Sequence, residues 1–236
     1  MNYNIAIVGA TGAVGNKMLE TLYSRKFPFK NITLLASSKS AGKKVLYNHD
    51  EYVIEDLNNY DFQKADLAFF SAGSKVSELF APQAEKKKCY VIDNTSYFRM
   101  HEDIPLIVPE VNEYNLLGAN RKIISNPNCS TIQMLVALAP IHKVCKIKRV
   151  IVSTYQSVSG AGQSAIDELR QQTKNILDGK EISIRNIPKQ IAFNVVPQID
   201  IFLDNGFTKE EMKMINETNK ILDPDISVNA TCVRVA

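Results

Sequence analysis

Residues 4–15, Asn4-Ile-Ala-Ile-Val-Gly9-Ala-Thr-Gly12-Ala-Val-Gly15, decide how the rest of the chain is read. Asn4 to Val8 is a short, nearly all-apolar run, the pattern of a strand buried on both faces of a parallel sheet. The glycines at 9, 12 and 15 follow at once. Behind them Val14, Met18 and Leu22 recur at helical spacing, and Ile32 to Ala36 reads as a second strand. Strand, glycine turn, helix and strand make a βαβ unit, whose crossover is right-handed. Such a turn brings backbone amides to a helix N-terminus, where the dipole favours negative charge, so it reads as a pyrophosphate site. The spacing is GxxGxxG rather than GxGxxG, and the flanking strand and helix supply the context the motif needs.

Working outward, the same alternation repeats. Strands are expected at Asp66–Phe70, Cys89–Ile92 and Lys122–Ser125, with a helix from about Lys75 to Lys88 and an apolar one from about Ser130 to His142. This predicts an α/β fold with a doubly wound parallel sheet and ligands at the strands' carboxyl ends. After about residue 145 the texture changes. Lys148–Tyr155 is a longer β-branched strand, and Gly160-Ala-Gly162 opens a helix with Ile166, Leu169, Thr173 and Ile176 on one face. Residues 179–207 carry no period, Thr208 caps a charged helix, and Ser227 onward reads as a strand. The expected division is 1–128 for the nucleotide-binding domain and 129–236 for an α+β domain.

Composition narrows the class. Apolar residues make up 45% and charged residues 22% of 236, a globular balance. The net charge of +3 does not point to a polyanion, so nucleic acid is not an expected partner. Cys89, Cys129, Cys145 and Cys232 form no CxxC pair, and His49, His101 and His142 never fall at ligand spacing from them, so no metal site is expected. The N-terminus runs straight into a strand pattern, and no apolar run approaches the roughly 20 residues that cross a bilayer; a cytoplasmic protein without membrane contact is expected.

Two positions carry chemistry on these grounds. The second strand runs into Ser37-Ser-Lys39-Ser40, hydroxyls and a cation with no carboxylate, which suits a 2′-phosphate and favours NADP over NAD. Cys129, in Asn126-Pro-Asn-Cys-Ser-Thr131, sits between a strand and an apolar helix, where the dipole and nearby amides favour a thiolate nucleophile. Cys89, Cys145 and Cys232 read as buried structural thiols. His142 reads as a partner for the helix C-terminus.

Five blocks in order, IAIVGATGAVG (5–15), VIDNTSYFRM (91–100), VPEVN (108–112), NPNCST (126–131) and TYQSVSGAG (154–162), resemble bacterial aspartate-semialdehyde dehydrogenases over the whole chain. The resemblance implies a Rossmann-type domain followed by an α+β catalytic and dimerisation domain. It also implies NADP-dependent interconversion of L-aspartate 4-semialdehyde plus inorganic phosphate with L-4-aspartyl phosphate, in lysine (diaminopimelate), threonine, methionine and isoleucine biosynthesis. Cys129 then forms the thiohemiacetal and acyl thioester, and Gln156 orients the acyl group. Gly9, Thr11, Gly12, Ala13, Val14, Gly15, Lys39, Ser40, Ser159 and Gly160 contact the cofactor. Arg99 and Asn128 belong to the substrate and phosphate site. Lys213 holds the same anion as Arg99, Glu211 the substrate amine and Arg234 the substrate carboxylate. A homodimer is implied as well.

On residues alone, Lys213 and Glu217 would instead be an i,i+4 pair on a solvated helix face. N-acetyl-γ-glutamyl-phosphate reductases share the fold plan but differ around the cysteine; an inactive NADP-binding protein is the non-enzyme alternative. Lys39 stands where many of the family carry arginine. The family's histidine base falls a few residues beyond the position of Arg234, past Ala236, so the chain reads as C-terminally truncated and its second domain as incomplete.

Overall fold

The computed structural model describes residues 2–236, which divide into two compact units, one ending at Pro127 and the other Asn128–Ala236. The first unit opens with β1 (Tyr3–Val8), α1 (Ala13–Ser24), β2 (Phe29–Ala36), β3 (Lys44–Tyr47) and β4 (Asp50–Asp56). It continues with β5 (Leu67–Phe70), α2 (Ser74–Lys86), β6 (Tyr90–Asp93), α3 (Pro109–Asn112) and β7 (Ile123–Ser125). Its seven strands lie in the order β3-β4-β2-β1-β5-β6-β7, all parallel except β3, which runs against β4. The order reverses at β1, with β2 on one side and β5 on the other, and that reversal defines a doubly wound, Rossmann-type sheet.

The all-apolar reading of β1 is explained by its central place. Ile5 and Ile7 join one core cluster, with Leu19, Leu34 and Ile54, while Ala6 and Val8 join the other, with Leu35, Phe70 and Val91. Successive side chains of a strand face opposite ways, so both layers draw on the same short run. Full burial of each isoleucine stabilises the unit by about 1.5–3 kcal/mol.

The β3–β4 hairpin was not expected from the sequence pattern. β3 has only four residues, β4 is bounded by acids at both ends, and the two linking residues, Asn48 and His49, both have positive φ (50° and 71°), the signature of a tight two-residue turn.

The second unit contains α4 (Cys129–Cys145), β8 (Arg149–Ser157), α5 (Gln163–Leu177), α6 (Lys209–Ile221) and β9 (Ser227–Val235). Strands β8 and β9 pair in parallel over nine residues, with Gln156 opposite Arg234, so these two side chains share one face. Met134 and Val152 pack with Met214, Ala230 and Cys232 to seat α4 and α6 on this pair. The aperiodic segment after α5 is held by polar side chains of that helix. Glu168 accepts the N–H groups of Arg185 and Asn186 at 2.9 and 2.6 Å, and Gln172 accepts those of Ile191 and Ala192 at 3.0 and 3.2 Å. Among the described residues no helix is long and apolar enough to cross a membrane.

Candidate active site

In the first unit the glycine turn follows β1 directly. Gly9 has φ +90°, and a Cβ there would lie 2.9 Å from the Ala72 nitrogen in the turn after β5; a Cβ on Gly15 would strike the Gly9 carbonyl. Glycine is therefore required at both, by conformation at Gly9 and by close packing at Gly15. Helix α1 starts with neither a side-chain cap nor an acidic residue in its first turn, leaving its N-terminal amides to a ligand. Thr11, Gly12 and Val14 are exposed there and Ala13 is half-buried. After β2, Lys39 is exposed and Ser40 half-buried. Asp56, paired in register with Ala36, brings to this end of the sheet a carboxylate that the sequence pattern did not single out. Its Oδ1 accepts the Asn58 N–H at 3.0 Å, and that bond, with help from Ser38, holds the carboxyl below the ordinary range.

The VIDNTSYFRM block is built around Asp93, which accepts bonds from Ser77 Oγ, Thr95 N and Thr95 Oγ1 at 2.8–3.0 Å. The turn so fixed carries Arg99, which is buried and donates through Nε to the Thr95 carbonyl at 3.1 Å and through Nη2 to that of Asn94 at 3.0 Å. VPEVN is structural, because Asn112 accepts from Val108 N and donates to the Leu106 carbonyl, both at 2.9 Å.

The second unit has a cavity of about 410 Å³ whose lining includes Cys129, Gln156, Ser159, Gly160 and Arg234. Cys129 is the first residue of α4 and is exposed. The preceding Asn128 caps the helix, its Oδ1 accepting the Ser130 N–H at 2.9 Å. Glu210 ties the polar residues together. Its Oε1 accepts from Asn128 Nδ2 at 2.8 Å and Gln156 Nε2 at 3.1 Å, and its Oε2 from Lys213 Nζ at 2.9 Å. Thr154 Oγ1 donates to Gln156 Oε1 at 2.9 Å, so both ends of that amide are oriented. Burial raises the Glu210 carboxyl, but the Lys213 ammonium and the two amide donors outweigh it and the net displacement is downward. Burial works against the Lys213 cation; Glu210 and Asp200 overcome it and raise that pKa. Arg234 donates from Nη1 to the Ser157 carbonyl at 2.7 Å, and burial lowers its pKa. Ser159 Oγ donates to Ser157 Oγ at 3.2 Å.

Three expectations are corrected here. Glu211 does not join this group: its Oε2 accepts the Thr208 N–H at 2.7 Å in a capping box, and its Oε1 the Cys232 N–H at 3.1 Å. Glu210 stands with Asn128, Gln156 and Lys213 instead. Lys213 and Glu217 are not a solvated pair, because Lys213 turns to Glu210 and Asp200 while Glu217 is buried at 1% exposure. Cys145 is exposed at the end of α4, whereas Cys89 and Cys232 are buried. His142, in the last turn of α4, meets Asp223 Oδ2 at 3.2 Å. Among the described residues no three His, Cys, Asp or Glu side chains gather as metal ligands.

The sequence matches the family models described as the semialdehyde dehydrogenase NAD binding domain, over residues 4–119, and the semialdehyde dehydrogenase dimerisation domain, over residues 138–236. Within that class, aspartate-semialdehyde dehydrogenase 2 of Vibrio cholerae is 53% identical over 235 residues, covering 99% of this chain and 70% of its own length. The crystal structure of aspartate semialdehyde dehydrogenase II complexed with ASA, from the same organism, superposes with a TM-score of 0.96 at 53% identity, covering 100% of this chain and 70% of that one. The enzyme from Candida albicans, solved with NADP, gives a TM-score of 0.73 at 25% identity, covering 100% of this chain and 68% of that one. The chain belongs to the aspartate-semialdehyde dehydrogenase family.

Proposed function

We infer that the chain carries the NADP-dependent, phosphate-using oxidation of L-aspartate 4-semialdehyde to L-4-aspartyl phosphate and its reverse, in the cytoplasm, as part of lysine, threonine, methionine and isoleucine synthesis. The observation that carries this reading is the placement of Cys129 at the start of α4, in one cavity with Gln156 and Arg234. Gly9, Thr11, Gly12, Ala13, Val14 and Gly15 fit the dinucleotide pyrophosphate, because Thr11, Gly12 and Val14 are exposed and the α1 amides are uncapped. Lys39 and Ser40 serve the 2′-phosphate, and Ser159 and Gly160 the nicotinamide end. When bound, NADP⁺ supplies the acceptor for the two electrons that leave the aldehyde carbon.

Cys129 Sγ adds to that carbon while the thiol proton passes to the aldehyde oxygen, giving a thiohemiacetal whose hydroxyl proton is released when the carbon is oxidised. After oxidation the acyl group remains on sulfur as a thioester, from which phosphate displaces the thiolate, a good leaving group. Gln156, fixed at both ends of its amide, orients the acyl oxygen. Arg234 binds the substrate carboxylate and Glu210 its ammonium, the part expected of Glu211. In the second unit Lys213 and Asn128 hold phosphate, and Arg99 of the first unit has the planar fork that suits such an anion. The second unit pairs with a second copy to form a homodimer.

The test is phosphate-dependent formation of reduced nicotinamide from aspartate semialdehyde. Turnover with NADP that disappears in Cys129→Ala supports the reading. Equal turnover by Cys129→Ala, or preference for the N-acetylglutamate homologue, would sink it.

A further inference from the structure

We propose that Glu217 is a positioning residue for the Cys129 thiol, acting through the main chain of Asn128. This rests on the reading of Cys129 as nucleophile. Glu217 lies on α6 two turns beyond Glu210, at i+7, so both carboxylates occupy one face of that helix. It is 1% exposed, and its Oε2 accepts the Asn128 N–H at 2.7 Å. A buried carboxylate costs more than an apolar side chain of the same size would, so its place in the α6 interior calls for a role beyond filling space.

That role is legible in the bonds of Asn128. As N-cap, with φ −60° and ψ 140°, Asn128 has an N–H that lies outside the helical ladder and needs an acceptor from elsewhere. Glu217 holds that N–H, Glu210 holds Nδ2, and the Ser130 N–H holds Oδ1. Three bonds in three directions fix the residue, and Cys129 is one peptide further on. Glu217 holds the peptide plane entering Asn128, and the two side-chain bonds hold the residue itself, so together they fix the course of the backbone into Cys129. A carboxylate at this end of α4 is also favoured by the helix dipole, which offsets part of the cost of burying it.

Helix α4 contains its own control, since exposed Cys145 is its last residue, four turns from Cys129. The experiment compares iodoacetamide alkylation of the two thiols, by peptide mass spectrometry at one pH, in the unaltered chain, Glu217→Ala and Glu217→Gln. Glutamine keeps an oxygen acceptor for the Asn128 N–H and removes the charge; alanine removes both. The expected result is Cys129 alkylation slowed roughly three- to tenfold in Glu217→Ala, the rate equivalent of one net hydrogen bond. Glu217→Gln should stay close to the unaltered rate and Cys145 should not respond to either change.

Faster alkylation of Cys129 in both variants would show Glu217 acting as a nearby charge and overturn the proposal. So would an unchanged Cys129 in Glu217→Ala, or Cys129 and Cys145 changing together. If Glu217→Ala does not fold, Glu217→Asp, which draws the carboxylate back by one methylene, takes its place under the same criteria. Alkylation needs no turnover, so failure here is distinct from failure of the assigned reaction, which the Cys129→Ala assay reads.

Discussion

Gly160 and the Arg234 guanidinium share one space: a Cβ on Gly160 would lie 3.0 Å from Arg234 Nη1, the atom that donates to the Ser157 carbonyl. The φ of Gly160 lies outside the positive range, so the demand for glycine there comes from the arginine and not from the backbone. Gly160→Ala is therefore expected to displace the guanidinium while leaving backbone contacts to a nucleotide intact. With Arg234 on the substrate carboxylate, weakening a hydrogen bond to a charged group should raise the semialdehyde concentration that protects Cys129 from alkylation by roughly tenfold. NADP affinity, read by calorimetry, should stay within about twofold. The opposite pattern, lost NADP affinity with normal protection, would make Gly160 a cofactor contact only.

Glu210 predicts an acid limb. Its carboxyl is raised by burial but lowered further by Lys213 and the Gln156 and Asn128 amides, so the folded value lies below the unfolded one. The ionised form then contributes stability that is fully present above the unfolded value near about 4.3 and is lost as pH falls through the lower folded value. Chemical unfolding between about pH 5 and pH 3 should show a shallower loss of stability in Glu210→Gln than in the unaltered chain, by up to about 1.4 kcal/mol per pH unit. At pH 7 the variant should be less stable by about 1–3 kcal/mol, because Lys213 loses the nearer of its two acid partners, Asp200 being the other. Parallel slopes in the two proteins would show that Glu210 titrates alike in the folded and unfolded chains.

The thiols separate by place. Cys89 and Cys232 are fully buried, and burial pushes them up to about 12 and about 11, so neither should react with iodoacetamide near neutral pH before the chain unfolds. Cys129 and Cys145 are exposed and should react in the folded protein, Cys129 first as the assigned nucleophile. Cys145 outpacing Cys129 would count against the nucleophile assignment.

Much of this was legible in the chain. The β1 run and the glycine turn state their structure twice over, by apolar continuity and by residues that only a close approach requires. The sheet's outer hairpin was not, because β3 is only four residues long, β4 begins and ends in acids, and the chain turns on Asn48-His49 without the glycine that usually marks such a loop. Glu210 and Glu211 are neighbours about 100° apart on a helix, and resemblance alone chose the wrong one for the cluster. The sequence did hold the deciding signal: Thr208-x-x-Glu211 is the capping-box pattern, which commits Glu211 to the helix start and leaves Glu210 for Asn128 and Gln156. Spacing also offered Lys213 two acids, at i−3 and i+4, and only the burial of Glu217 decides between them.

Lys39 gives a prediction of modest size. It is exposed after β2, so its attraction for a 2′-phosphate is that of a surface ion pair, about 0.2–1 kcal/mol. Lys39→Ala should reduce the preference for NADP over NAD by roughly two- to fivefold, and Lys39→Glu should reduce it further by repulsion. Binding of both nucleotides measured by calorimetry at low and high salt checks this. A preference that ignores both substitutions would place 2′-phosphate recognition elsewhere in the turn.

The second unit leaves apolar side chains on its surface. Ile151 and Tyr155 alternate along the outward face of β8 at 73% and 74% exposure, and Phe193 and Phe202 stand at 68% and 56% in the segment before α6. Apolar surface of this kind marks an interaction site, and a stable partner contact covers about 800 Å² on each side. The homodimer proposed above would cover this surface with a second copy, in keeping with the dimerisation-domain match over residues 138–236. Ile151 and Tyr155 lie on the face of β8 away from the cores that seat α4 and α6, so Ile151→Asp with Tyr155→Asp should leave the fold intact. It should also shift sedimentation equilibrium from dimer to monomer at concentrations where the unaltered chain is fully paired. An unchanged dimer would show that copies meet through another face.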